Sequence, residues 1–379
     1  MREKKIKLLH LIETGGPGGA ESVYLSLAQE LPKRGMEVHN ILLKDGWLAG
    51  KVRAISSHCE IIPSKGSLDV VFVKQLMKYI RENEIDIVHS HLFDANFYAA
   101  IAAHFCKIPH IGTEHGDVHH HDKSGSRFEK IKVKTKLKIF KRTKSVVVSV
   151  SKFTLEHLQH LISLPVERTP IVYNGIDGNR FKISRPKMTR IRRELGITEN
   201  DLFIGTVGNL YPVKGQKYLL HAFHQTAGDH PNVHLGLVGR GKLLDELKET
   251  TRQLQVQEKV HFLGFREDIP ELLAAMDVFV LPSLSEGMPV SILEAMASRT
   301  PIIASEVGGI GEMITHHKNG LLVPPRNVEK LAENLHLLVS DPALRKDLAA
   351  AAYETFAARF EVGEMIRQYQ RLYNLMLIH

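Results

Sequence analysis

The sequence predicts an α/β protein of two domains, each built on a parallel sheet. Three observations carry this. Short apolar runs break off into glycine or polar residues and give way to helical patterns, and the alternation recurs along the chain. The same architecture starts afresh near Asp201. The 379 residues, 43% hydrophobic and 24% charged, supply two cores of ordinary size.

In chain order, residues 6–12 read as a strand that runs into Gly15-Gly16-Pro17-Gly18-Gly19-Ala20-Glu21, after which a helical pattern continues to Leu31. A glycine-rich turn between strand and helix lets backbone approach a phosphate or sugar, which makes Gly18 and Gly19 candidates for that contact. The spacing is not that of a dinucleotide fingerprint. Three later apolar runs end in polar residues, at Asp86-Ile87-Val88-His89-Ser90-His91, Gly112-Thr113-Glu114-His115-Gly116 and Ile171-Val172-Tyr173-Asn174-Gly175-Ile176-Asp177. Ligands of open α/β sheets sit beyond the carboxyl ends of the strands, so these ends are site candidates. Residues 184–200 open polar and basic and read as a linker.

In the second half, Phe203-Ile204-Gly205-Thr206-Val207-Gly208-Asn209-Leu210 leads into Tyr211-Pro212-Val213-Lys214-Gly215, and residues 233–238 lead into Gly239-Arg240-Gly241. Lys214 is the candidate counter-charge for a phosphate. The richest stretch follows the apolar run 278–281. Pro282 opens a turn and Pro289 stands near the first position of a helix that holds Glu294. The unpaired N–H groups of that helix start carry about half a positive charge, a cradle for a diphosphate. Proline has no N–H, so the candidate donors belong to Gly287, Met288, Val290 and Ser291. Glu286, in the loop, and Glu294, in the first turns, each need hydroxyl donors to justify a carboxylate there, and a ribose and a hexose offer several. Taken alone, the pair also fits a capping acid and an exposed helix acid.

Composition excludes several classes. Cys59 and Cys106 are too few and too far apart for a disulfide framework or a zinc site, which fits a reducing cytosol. The first apolar run is too short for a signal-peptide core, and no run approaches the roughly 20 apolar residues that span a bilayer. Most of the 22 histidines must be ordinary core or surface residues. His119-His120-His121-Asp122 lacks companion ligands at metal-site spacing, so no metal is expected.

Residues 123–144 hold ten basic residues against one acid, Glu129, whereas the whole chain carries only +8. The basic character therefore belongs to one patch, which includes Lys130, Lys132, Lys134, Lys136, Lys138, Lys141 and Arg142. Strict alternation over 131–139 reads as a strand. At helical spacing the same residues form two apolar stripes, Phe128, Ile131, Thr135 and Ile139 against Val133, Leu137 and Phe140, with lysines between. Such a helix can pack with one stripe and touch an anionic membrane surface with the other, each cation contributing about 1 kcal/mol. A solvated basic face is the alternative. Nucleic acid is not expected, because no binding module or stacking aromatics accompany the charge.

Taken together, the glycine loop, Glu114-His115-Gly116, Asn174-Gly175-Ile176-Asp177 with Phe181, the stretch 208–215, Gly264, and Glu286 with Glu294 in one segment resemble the retaining glycosyltransferases of family 4 along essentially the whole chain. That resemblance implies the GT-B fold, two facing Rossmann-like domains with an interdomain cleft. It implies an acceptor-side domain over 1–183, the linker 184–200, a donor-binding domain over 201–358, and a final helix in 359–379 that returns to the first domain. It favours a helix over 131–139. The implied activity is transfer of a sugar, with retention and without a metal or other cofactor, from a nucleotide sugar, UDP- ahead of GDP-, to a lipid-linked or glycan acceptor at the inner membrane face. Glu286 would hold the donor sugar and steady the developing oxocarbenium charge, and Glu294 would hold the ribose. His115 would reach the sugar and Lys214 the diphosphate; His91 is a candidate for the acceptor side, with a purely structural role as the alternative. The base would sit beside Gly264, Phe265 and Arg266, read by their backbone groups. Where the family commonly has arginine this chain has Asn209, for which Arg240 or Lys242 are candidate replacements. Two alternatives stay open: a non-hydrolysing nucleotide-sugar epimerase, and a nucleotide-sugar-binding relative without turnover.

Overall fold

The computed structural model describes residues 5–66, 69–116 and 127–378, without the side chains of 127–130, 132 and 133. The histidine tract 119–121, Asp122 and Lys123 lie outside the described residues, as do the side chains of Phe128, Glu129, Lys130, Lys132 and Val133. The chain forms two compact units, Met1–Gly175 with Val362–His379, and Ile176–Glu361.

The first unit holds β1 (Lys7–Ile12), β2 (Glu37–Leu42), β3 (Cys59–Ile61), β4 (Ile87–His91), β5 (His110–Glu114) and β6 (Val146–Ser149), all parallel in the order β3-β2-β1-β4-β5-β6. The second repeats the plan with β7 (Leu202–Val207), β8 (Val233–Val238), β9 (Val260–Gly264), β10 (Val278–Leu281), β11 (Ile302–Ser305) and β12 (Leu321–Val323), ordered β12-β11-β10-β7-β8-β9. In each sheet the first strand in sequence lies in the middle, where the order reverses. That reversal opens a crevice beyond the carboxyl ends of β1 and β4 in one unit and of β7 and β10 in the other.

Helices cover the strands, which is why the central ones are buried along nearly their whole length. In the second unit Ile204, Leu235, Leu237, Val280 and Ile303 pack with Leu219, Phe223 and Leu335. In the first, Leu9, Leu11, Ile41 and Val88 pack with Phe72, Phe97 and Tyr98. Among the described residues no helix is long and apolar enough to cross a membrane.

Two expectations are corrected here. Residues 184–200 are no linker: Arg185–Glu194 is a helix with Pro186 in its first turn, and it packs on the Ile269–Ala275 helix of its own unit. Its polar composition hid this, because one fully buried side chain, Ile191, and Arg192 bonded to Asp277, to the Ala275 carbonyl and to the Thr198 and Asp201 carbonyls do the anchoring. The turn Gly178–Phe181, assigned from sequence to the first domain, also lies in the second unit, where Phe181 is buried.

The basic stretch forms the helix Arg127–Arg142, not the strand its alternation suggested. Lys136 is also corrected, from membrane patch to core. It is 4% exposed, bonded to Asp94 Oδ1 at 2.7 Å, and its ammonium stands 5.3–5.9 Å from the ring centres of Phe93, Phe97 and Tyr98. The inward face thus includes Lys136 and Phe140, while Lys134, Lys138, Lys141 and Arg142 remain exposed and Ile131 is 54% exposed.

Candidate functional site

In the second unit the loops beyond β7, β10 and β11 are knitted together. Beyond β7 the chain makes a single turn, Pro212–Lys214, and Gly215 then opens the helix Gln216–Asp229 in the left-handed region at φ +66°. A Cβ at Gly215 would run into the Pro282 carbonyl, so the two loops can approach only with glycine here. Leu284 N donates to the Val213 carbonyl at 2.7 Å. This contact places Lys214 against the loop beyond β10, and Lys214 Nζ meets Glu286 Oε1 at 2.6 Å. Ser283 Oγ donates to the same oxygen at 2.7 Å. From beyond β11, Gly309 N donates to the Glu286 carbonyl at 3.3 Å. One carboxylate is therefore held by its side chain from β7 and β10 and by its backbone from β11.

The helix Val290–Ala297 starts three residues after Gly287, with Pro289 at its N-cap and no side-chain cap. Glu294, part-exposed on that helix, has its carboxyl pushed up to about 7 by burial, with the charge of Arg180 pulling the other way. Asn209 is part-buried, and its carbonyl accepts from Gln216 Nε2 at 3.1 Å. The Arg240 guanidinium, a candidate to replace the missing charge, lies over the Phe265 ring at 5.3 Å, and Lys242 is exposed. Phe265 keeps 40% of its surface exposed. The Arg266 guanidinium is spent on Glu194 and on both oxygens of Asp268. Only its backbone is left for a base.

In the first unit Gly18 is the N-cap of the helix Gly19–Glu30, again without a side-chain cap, and the Glu21 carboxylate folds back to where a Gly18 side chain would stand. Glu21 is 8% exposed, and burial raises its pKa. Beyond β4 and β5 lie His91 and His115. His115 Nε2 and His91 Nδ1 are 2.8 Å apart, and His91 Nε2 is 2.8 Å from His10 Nε2 on β1. His91 is fully buried with both ring nitrogens engaged, which corrects its placement on the acceptor side: it has no surface to offer. His115, part-exposed, is held neutral by burial, its pKa pulled down to about 3.

Sequence reasoning passed over His10, Asp94 and the carboxyl of Glu114. Burial pushes the Glu114 pKa up to about 7, and its Oε1 accepts from Asn96 Nδ2 at 2.8 Å. For His10 and Glu114 the available signal was a polar residue in an apolar strand run, whereas Asp94 stands in the first turn of the helix Phe93–Cys106. His10, His89 and His91 cluster closely enough to suggest a metal. Two nitrogens on one tetrahedral zinc with bonds near 2.0–2.1 Å stand about 3.3 Å apart. The 2.8 Å between His10 and His91 is hydrogen-bond spacing.

Residues 17–180 match the family model Glycosyltransferase Family 4, and residues 187–355 match Glycosyl transferases group 1. The chain is 28% identical over 358 residues to the Escherichia coli UDP-Gal:alpha-D-GlcNAc-diphosphoundecaprenol alpha-1,3-galactosyltransferase, covering 90% of this chain and 89% of that one. It is 31% identical over 293 residues, 73% of each chain, to the Corynebacterium glutamicum GDP-mannose-dependent monoacylated alpha-(1-6)-phosphatidylinositol monomannoside mannosyltransferase. Its fold matches the crystal structure of Anabaena HepE in complex with UDP-glucose at a TM-score of 0.86, with 26% identity over 97% of this chain and 99% of that one. The two six-stranded parallel sheets are thus the two Rossmann-like domains of a GT-B fold.

Proposed function

The chain belongs to the group 1, family 4 glycosyltransferases, and on that premise we propose that it moves a sugar from a UDP-sugar to a lipid-linked or glycan acceptor, with retention and without a metal. The single observation that carries the reading is the pairing of Lys214 with Glu286 at 2.6 Å beyond β7 and β10, where the sheet order reverses, next to an uncapped helix start.

Without donor, each charge neutralises the other. A sugar diphosphate gives Lys214 a new anionic partner and gives Glu286 hydroxyls to accept from, so both charges stay satisfied while the pair parts. As the bond from the anomeric carbon to phosphate oxygen breaks, the charge that gathers on the departing diphosphate meets Lys214 and the helix start at Val290 and Ser291. Glu286 steadies the oxocarbenium-like sugar and Glu294 accepts the ribose hydroxyls. No second carboxylate is assigned as nucleophile, so the acceptor hydroxyl attacks from the face the diphosphate leaves and passes its proton to the leaving phosphate oxygen.

The names of the E. coli and Anabaena proteins, one with a diphosphoundecaprenol substrate and the other bound to UDP-glucose, support a lipid-linked acceptor and a uridine carrier. The exposed cations Lys134, Lys138, Lys141 and Arg142 support docking at an anionic membrane face. The test is a thermal-shift panel of UDP-, GDP- and ADP-sugars, followed by turnover in EDTA. UDP-sugars should stabilise the protein and be transferred or slowly hydrolysed in EDTA. Stabilisation by GDP-sugars alone, activity that only added Mg²⁺ or Mn²⁺ restores, interconversion of two sugar nucleotides, or binding without turnover would each overturn it.

A further inference from the structure

Three imidazoles stand in a row in the first unit. His10 on β1 and His91 on β4 face each other through Nε2 atoms at 2.8 Å, and His91 Nδ1 meets His115 Nε2 at 2.8 Å. The outer atoms, Nδ1 of His10 and Nδ1 of His115, are buried and have no hydrogen-bond partner among the described residues. Each N···N contact requires one N–H and one lone pair, and a neutral imidazole has one of each. Three neutral rings joined by two such contacts therefore have two arrangements and no others. Either His115 carries its proton on Nδ1 and His10 on Nε2, or His115 carries it on Nε2 and His10 on Nδ1. The state of one end dictates the state of the other.

We propose that His91 and His10 are positioning residues that fix which nitrogen of His115 carries the proton, and that Asn40 selects the arrangement in which His115 Nδ1 presents a lone pair to a sugar hydroxyl. Asn40 is the register partner of His10 on β2. Its Nδ2 donates to Ser56 Oγ and to the His58 carbonyl, both at 3.2 Å. Its Oδ1 accepts from Tyr24 Oη at 3.1 Å, and the Asn40 side chain draws the His10 pKa back up against burial, as an acceptor beside a His10 Nδ1–H does, which favours a proton on His10 Nδ1. The chain then runs His91 Nε2–H to His10 Nε2 and His115 Nε2–H to His91 Nδ1. Burial keeps the rings neutral: His10 and His115 are drawn down to about 3, and His91 well below its ordinary value. Stacking on Tyr24 at 3.7 Å holds the His10 ring in place. The consequence for catalysis rests on the reading that His115 meets the donor sugar, but the chain itself does not.

The experiment is long-range ¹H–¹⁵N NMR of the full chain labelled with ¹⁵N-histidine, with His115 assigned by its absence in His115→Ala. The wild type should show a neutral His115 protonated on Nε2. His10→Phe keeps a ring against Tyr24 but cannot accept from His91, so the chain should invert and His115 should become protonated on Nδ1. His10→Gln retains an acceptor and should leave the tautomer unchanged. Loss of one hydrogen bond to the sugar should lower kcat/KM by about threefold to tenfold in His10→Phe and leave His10→Gln near wild type. A wild-type His115 protonated on Nδ1 or on both nitrogens, or an unchanged tautomer in His10→Phe, would overturn the chain. An inverted tautomer with unchanged turnover, together with an unaffected His115→Ala, would uphold the chain and refute the contact between His115 and the sugar.

Discussion

Gly308 lies in the loop beyond β11 with φ +57°, and its backbone runs against the Glu286 carbonyl so closely that a Cβ would have to retreat by about 1.7 Å to regain ordinary contact at 3.4 Å. Replacing Gly308 by alanine adds two costs. The left-handed conformation costs a non-glycine residue about 1–2 kcal/mol. The overlap pushes the two loops apart, and the Glu286 carboxylate is held by contacts of limited reach, at 2.6 Å to Lys214 and 2.7 Å to Ser283. A displacement of about 1 Å in a reacting group costs on the order of 100-fold in rate. The variant should therefore lose about 100-fold in kcat with a UDP-sugar donor, while its melting temperature falls by about 2–8 °C. Gly311, which has nothing within 4 Å of its would-be Cβ, is the control, and alanine there should be near neutral. The assay is steady-state release of UDP alongside a thermal melt. If Gly308→Ala kept kcat within about threefold, or Gly311→Ala were equally damaged, the argument that the β11 loop positions Glu286 would be wrong.

Glu294→Gln should weaken donor binding, whereas Glu286→Gln should mainly lower kcat, read from KM and kcat separately. Because the Glu294 carboxyl is raised to about 7 and only its ionised form accepts from two hydroxyls, donor KM in the wild type should rise as pH falls through about 7 and level off above it; Glu294→Gln should abolish that dependence. A KM indifferent to pH between 5.5 and 8 would remove Glu294 from the ribose, as judged over that range around its raised value. Replacing Lys134, Lys138 and Lys141 by glutamine should abolish salt-sensitive binding to anionic vesicles and leave donor affinity intact, since charges beyond about 8 Å are screened at physiological salt. Vesicle binding equal to wild type would leave only a solvated face. Lys136→Gln should instead destabilise the fold, because it leaves Asp94 without its 2.7 Å partner and puts an amide among three rings.

The sequence by itself determined the two-sheet plan and the chemistry of the donor loops. Strands buried on both faces must be short apolar runs, and the loops beyond them can carry polar residues only for turning or for ligands. Lys214, Glu286 and Glu294 were legible because each stands at such a run's end or at a helix start. What only the tertiary structure decided is which charges meet. Nothing in the spacing of 72 residues joins Lys214 to Glu286. The neighbouring order of β7 and β10 does, together with a glycine that lets their loops touch. Composition misread Lys136 and the stretch 184–200 for the same reason: a charged residue is assigned to solvent until a partner such as Asp94 or Asp277 is known. His91 ends an apolar run as a ligand-facing residue would, yet its neighbours on β1 and beyond β5 cover it on both sides. Periodicity reports which face of an element is apolar, whereas burial of a polar side chain depends on contacts far away in the chain, which no local pattern encodes.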